Sequence, residues 1–128
     1  MGIVAVLVAG AAIFAWGAVW YMIMAKPWME AGGLSEETIN RSNPVPYIIS
    51  IVGAILVAGM MRHTFAMAGI DTMAKGIMSG LGIGLFLVMP WVATHYAFGQ
   101  RPFKLTAIDV GYHVIGCALA GAVLTLIG

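Results

Sequence analysis

Four long apolar segments constrain the fold of this chain more than any other feature. The first runs from Ile3 to Met24 without a charged residue. At a rise of about 1.5 Å per residue, such a helix is long enough to cross a bilayer. The predicted spans cover residues 3–24, 47–68, 73–96 and 105–127. Because backbone in lipid must satisfy its own hydrogen bonds, we predict an all-α integral membrane four-helix bundle in one domain of residues 1–128.

The composition agrees with a membrane protein and disfavours several other classes. Charged residues make up 9% of the chain and apolar residues 62%, whereas a soluble domain carries roughly 25% charged residues. We therefore expect the lipid bilayer to be the main contact of the surface. A net charge of +1 creates no field that would attract nucleic acid. The sequence has no P-loop, dinucleotide fingerprint or nucleophile motif, so we expect no enzyme and no cofactor.

The connection between the first two spans contains the longest polar stretch. Ser35 precedes Glu36 and Glu37, a pattern typical of a helix N-cap followed by acidic residues in the first turn. We predict a short surface helix over residues 36–41. The prolines of the following Asn43–Pro46 stretch then end that helix and begin the second span.

Small residues indicate where the spans pack. Gly76, Gly80 and Gly84 form two overlapping GxxxG units, which allow two membrane helices to approach closely. Pro90 lies further along the same segment. Since proline removes one helical hydrogen bond, we expect a kink there.

Aromatic and basic residues gather where the odd-numbered spans end. Amphipathic aromatic rings favour the headgroup level of a bilayer, and basic residues favour the cytoplasmic side. The side that holds loops one and three carries four lysines and arginines, and the other side carries two. We therefore predict that loops one and three are cytoplasmic. The predicted interfacial anchors are Trp16, Trp20, Tyr21, Lys26, Trp28, Trp91, Tyr96, Arg101 and Lys104.

An internal repeat is visible when the chain is shifted by 75 residues. The segment Trp16–Trp28 then lies over Trp91–Phe103 without a gap, with the shared pattern W-x-A-x-x-Y-x-x-x-x-[KR]-P-[WF]. Tyr21 falls on Tyr96. Both copies end an odd-numbered span on the same side of the membrane, so we predict two tandem helical hairpins in parallel orientation.

One group of polar residues falls within the predicted spans. Asp109 and His113 are four residues apart on one helical face, beside Tyr112, and His95 lies one turn before the end of the third span. Ionisable residues inside a membrane are candidates for function. Three interpretations stay open: structural hydrogen bonding, handling of protons or small molecules, and ligation of a metal or tetrapyrrole. If the protein has a site, we expect it at these four residues.

Several motifs together resemble a known family. They are Trp-Tyr near the end of the first span, K-x-W after it, GL-S-EE in the first loop, and RP-x-K-L-x-x-I-x-x-GYH at the start of the last span. The chain resembles the bacterial membrane family catalogued as domain of unknown function 1761. It departs from the pattern in Met22-Ile23, where Ser-Pro is usual, and in Asp109, where Asn is common. The resemblance implies a small four-helix protein of the bacterial inner (cytoplasmic) membrane and implies no activity.

Composition and packing favour a non-catalytic role. Many small residues and little mass outside the membrane suit an accessory or scaffold subunit, which associates with itself or with other membrane subunits. We expect its host to be a respiratory or photosynthetic assembly. The alternative is a homo-oligomeric small transporter or channel that uses His95, Asp109 and His113. Metal or tetrapyrrole binding is a second alternative.

Overall fold

The computed structural model describes residues 2–34 and 43–127. These residues form five helices and, within the described part, no strand. The helices are α1 (Gly2–Ile23), α2 (Ala25–Gly32), α3 (Val45–Ala68), α4 (Met73–Phe98) and α5 (Phe103–Ile127). Four of them, α1, α3, α4 and α5, are long and apolar enough to cross a membrane. The prediction of an all-α, four-span membrane bundle is therefore confirmed.

The ends of the spans follow from local backbone signals. Helix α3 continues past Arg62 and ends at Gly69, which takes the left-handed conformation (φ 72°) and donates its N–H to the carbonyl of Phe65. Glycine adopts this conformation without steric cost. Helix α4 begins after Thr72, whose hydroxyl accepts a hydrogen bond from the N–H of Lys75. The second loop therefore consists of residues 69–72.

The short helix α2 was not predicted. It follows α1 after a break at Met24, has Pro27 in its first turn and ends at Gly33 in the left-handed conformation (φ 73°). Proline near the start and glycine after the end are a known helix signal, but these residues read as part of the polar first loop. Met29 on this helix is buried, so α2 packs on the bundle. The predicted surface helix over residues 36–41 lies outside the described residues.

The four spans form an open row in the order α3, α1, α5, α4. Helix α1 packs along α3 on one side and α5 on the other, and α4 packs along α5. In the described part of the chain α3 and α4 are not packed along each other. The centre is built mainly from small side chains, which permit short distances between the helices. The fully buried alanines are Ala5, Ala9, Ala58 and Ala120.

The glycines of α4 lie against α5. A side chain at Gly80 would overlap the backbone of Cys117 and Ala118, and one at Gly84 would meet the backbone of Val114. Gly76 meets α5 in the same way at Gly121. These positions allow backbone-to-backbone contact between the two helices.

Helix α4 contains a wider turn before its proline. Residues Gly84–Val88 form a π-helical turn, and Pro90 follows in the first turn of the α-helical segment Met89–Phe98. A proline ring clashes with the carbonyl four residues earlier, which here belongs to Phe86 within the π turn. The irregularity that was expected at Pro90 is thus located in the turn that precedes it.

Candidate functional site: a tyrosine–aspartate cluster between three helices

The carboxylate of Asp109 is held by two tyrosines from two other helices. The hydroxyl of Tyr21 donates to Oδ1 and the hydroxyl of Tyr96 donates to Oδ2, each at 2.5 Å. Asp109 is 7% exposed. An ionised carboxylate only accepts hydrogen bonds, so this pair of donors suits the charged form. We call Tyr21, Asp109 and Tyr96 the carboxylate cluster.

The carboxylate cluster joins α1, α4 and α5 near their ends on the side of loops one and three. Tyr21 lies in the last turn of α1, Tyr96 in the last turn of α4, and Asp109 in the second turn of α5. Helices α1 and α4 pack on different sides of α5, and α5 presents its carboxylate to both. One side chain therefore connects both neighbours of the last span.

The two tyrosines are the equivalent residues of the internal repeat. Shifting the chain by 75 residues places Tyr21 on Tyr96, and the structure brings both hydroxyls to the two oxygens of one carboxylate. The equivalent tryptophans of the repeat, Trp16 and Trp91, differ in their surroundings. Trp16 faces α5, whereas Trp91 is 68% exposed. The repeat thus supplies two similar hydrogen bonds from either side of α5 and leaves its other positions free to diverge.

Two tryptophans of α1 add hydrogen bonds to the backbone of α5. The indole N–H of Trp20 donates to the carbonyl of Ile108 (2.8 Å) and that of Trp16 donates to the carbonyl of Tyr112 (3.1 Å). The two rings stack at 5.4 Å between centroids. Because the donors and the acceptors are each four residues apart, the antiparallel helices are held in one register. Gly111 is close to Trp20, and a side chain there would overlap the indole ring.

The histidines do not join this cluster. His95 is exposed and stacks on Trp91, with 6.2 Å between ring centroids. His113 is half-buried and lies beside the ring of Tyr112 at 5.0 Å. In residues 2–34 and 43–127 no group of three His, Cys, Asp or Glu side chains is placed to hold a metal ion. A His-Asp-His metal site, one of the interpretations left open by the sequence, is therefore not formed.

The remaining predicted anchors surround the cluster at the same end of the bundle. The guanidinium of Arg101 donates to the carbonyl of Gly32 at 3.3 Å and so ties the third loop to the end of α2. Trp28 of α2 contacts Tyr21 edge-on, with 5.9 Å between ring centroids. Lys26 and Lys104 are exposed.

A pocket lies one to two turns deeper than the carboxylate cluster. It opens where α3 and α4 are apart, and α5 forms its floor. Its polar lining residues are Ser50, Tyr112, His113 and Cys117, and the others are apolar or glycine. The pocket volume is about 330 Å³. Of the residues singled out in the sequence, Tyr112 and His113 thus belong to this pocket, and Asp109 belongs to the cluster.

The sequence places Tyr21 and Tyr96 among the interfacial anchors, and the structure adds that their hydroxyls share Asp109 as a partner. Aromatic residues at the end of a span are expected at the headgroup level, and nothing in either local sequence indicates an aspartate as partner. The internal repeat is the sequence feature that indicates a shared partner for the two tyrosines. Two equivalent tyrosines in equivalent spans can reach one residue on a helix between them, and Asp109 lies at the right depth.

Four apolar spans and a polar cluster that is satisfied within the bundle define a multi-pass α-helical membrane protein. The family model described as "Protein of unknown function (DUF1761)" matches residues 4–125. The chain belongs to this family, as its motifs indicated. No curated protein and no solved structure matches the chain.

Proposed function

We propose that this protein is a non-catalytic accessory or scaffold subunit that packs laterally against other membrane helices. The observation that carries this proposal is the carboxylate cluster. Its buried charge receives a hydrogen bond at each oxygen from within the bundle, so it connects helices and has no free oxygen aimed at a substrate. A polar group engaged in this way supports architecture more than chemistry.

The outer helices supply the surface for such a role. Helices α3 and α4 stand at the two ends of the row and carry large apolar side chains on their outer faces, among them Leu56 and Phe86. Outside the spans, the described connections 69–72 and 99–102 are short. Lateral contact within the bilayer is therefore the main kind of contact available to this part of the chain. Respiratory and photosynthetic assemblies remain the hosts that we favour.

A native pull-down with mass spectrometry tests the accessory role. The chain carries a C-terminal affinity tag, is solubilised from its own membrane in mild detergent, and is compared with an unrelated tagged four-span protein treated identically. We expect partner subunits in stoichiometric amounts with this chain and their absence from the control. Recovery of the chain alone, or of a clean homo-oligomer, would contradict the proposal.

The second candidate is a homo-oligomeric transporter or channel. The observation that favours it is the polar end of the pocket, where Tyr112 and His113 lie one turn beyond Asp109 on α5. Flux into liposomes that contain the purified protein is the test. Transport that is lost in both Asp109→Asn and His113→Asn would support this candidate. Unchanged flux in these variants, or none in the parent, counts against it.

We also propose that loops one and three face the cytoplasm of a bacterial inner membrane. The support is the excess of lysine and arginine on that side, four against two. Cysteines introduced at Lys104 and Lys75 in a Cys117→Ala background test it. A membrane-impermeant thiol reagent applied to intact cells should label position 75 and leave position 104 unlabelled, and the reverse pattern would contradict the assignment.

A further inference from the structure

The pocket between α3 and α4 has a polar end and an apolar end. Ser50 lies about 8 Å along α3 from its start and His113 about 15 Å along α5 from its start, both measured from the side of loops one and three. Val57, Gly116 and Cys117 continue the lining deeper into the membrane. Apart from the Cys117 thiol, the polar groups of the pocket therefore lie nearer to the side of loops one and three than these deeper residues do.

The polar end provides hydrogen-bond donors. The hydroxyls of Ser50 and Tyr112 and the ring of His113 can all donate, and no lysine or arginine lines the pocket. A charged headgroup would be poorly stabilised at this depth. An uncharged group with carbonyl acceptors matches the donors. The adjacent rings of Tyr112 and His113, tilted by 57° at 5.0 Å, also offer aromatic surface to a planar ring.

We propose that this pocket binds a lipid-soluble quinone, with its carbonyl-bearing ring at Ser50, Tyr112 and His113 and its apolar tail directed past Val57 and Gly116 into the lipid. The volume of about 330 Å³ lies within the range of about 300–1,000 Å³ that is usual for small-molecule pockets. The opening between α3 and α4 lets such a ligand enter from lipid. This site goes beyond the proposed accessory role and requires no partner protein.

Two glycines provide a matched pair of variants. Gly53 lines the pocket, and a Cβ built there meets no atom within 4 Å. The first carbon of a side chain at this position therefore meets no steric obstacle, and a leucine there adds bulk to the pocket lining. Gly82 on α4 is equally open but does not line the pocket. Gly53→Leu should block the ligand, and Gly82→Leu serves as the control for adding the same side chain to a span.

Binding of a decyl-substituted benzoquinone to the purified, delipidated protein in detergent tests the proposal. Isothermal titration calorimetry should give saturable binding to the parent and Gly82→Leu proteins, and at least a tenfold weaker affinity for Gly53→Leu. Tyr112→Phe and His113→Phe each keep an aromatic ring at the position but remove a hydrogen-bond donor, so each should weaken binding about 3- to 10-fold. Tyr47→Phe changes an exposed tyrosine of α3 that does not line the pocket, and it should leave the affinity unchanged.

Three outcomes would overturn the proposal. The first is the absence of saturable binding by a parent protein with full helical content. The second is equal binding by the parent and Gly53→Leu, which would place the ligand elsewhere. The third is equal competition by decylbenzene, which lacks the carbonyls; the pocket would then hold an alkyl chain and not a quinone ring.

Discussion

The side chain of Asp109 connects three helices of this protein through hydrogen bonds. A buried carboxylate is costly unless hydrogen bonds replace its water, and Tyr21 and Tyr96 each supply one. Removing either tyrosine hydroxyl leaves one oxygen without its partner. The energetic loss should therefore exceed that of an ordinary exposed tyrosine, and the two losses should depend on each other because they share one acceptor group.

Tyr21→Phe and Tyr96→Phe test the cluster at the scale of single residues. Each should lower the free energy of unfolding in detergent by about 1–2 kcal/mol, the upper range for hydrogen bonds between membrane helices. Unfolding in mixed micelles followed by circular dichroism measures this loss. Tyr47→Phe is the control, since its side chain is exposed. If all three variants unfold alike, the cluster contributes nothing to stability.

The indole of Trp20 stabilises the packing of α1 against α5, which a single substitution can test. Trp20→Phe removes the N–H that reaches the carbonyl of Ile108 and should lower the free energy of unfolding by about 1 kcal/mol. Trp91→Phe removes an indole that is 68% exposed and should have less effect. The same unfolding assay compares them. A larger loss for Trp91→Phe would contradict the assignment of the α1 indoles to packing against α5.

At the scale of elements, the contact between α4 and α5 depends on the absence of side chains. Gly80 approaches the backbone of Cys117 closely, whereas Gly82, two residues later and on another face of the helix, has open space around it. Helix packing through glycine is specific to the positions that face the partner. The same substitution should therefore have opposite effects at these two sites.

Gly80→Ala and Gly82→Ala test that contact. At Gly80 the added methyl group forces α4 away from α5, and we expect a loss of about 1–3 kcal/mol in unfolding free energy. At Gly82 alanine only improves helix propensity, by about 0.5–1 kcal/mol. Thermal unfolding of the two variants gives the comparison. Equal stability of both would show that α4 does not approach α5 through Gly80.

The helices themselves could be predicted from the sequence more fully than the contacts between them. The four spans follow from uninterrupted apolar runs, and the glycines of α4 from their spacing. Helix α2 was missed because its eight residues, Ala25–Gly32, follow a span directly and their polarity reads as loop. The cluster was missed because the distance between Asp109 and its tyrosines depends on how the spans are ordered in space, which local pattern does not encode.

At the scale of the whole molecule, the described spans form an open row of helices and do not enclose a pore among themselves. The row places α1 and α5 in the centre and leaves α3 and α4 with one close neighbour each among the described spans. Such a shape exposes apolar faces at both ends and leaves a pocket between them. Lateral association and a lipid-soluble ligand are the uses that this shape suits best.

We infer that Asp109 serves architecture and that its charge has no chemical role. Asparagine keeps one acceptor for a tyrosine and gains an amide that can donate to the other phenol oxygen, whereas alanine removes both contacts. Tagged Asp109→Asn and Asp109→Ala chains, expressed in place of the parent, are compared by native pull-down with quantification of partner subunits. We predict near-parental partner recovery for Asp109→Asn and a several-fold loss for Asp109→Ala. A folded Asp109→Asn protein that loses its partners as fully as Asp109→Ala would contradict the claim.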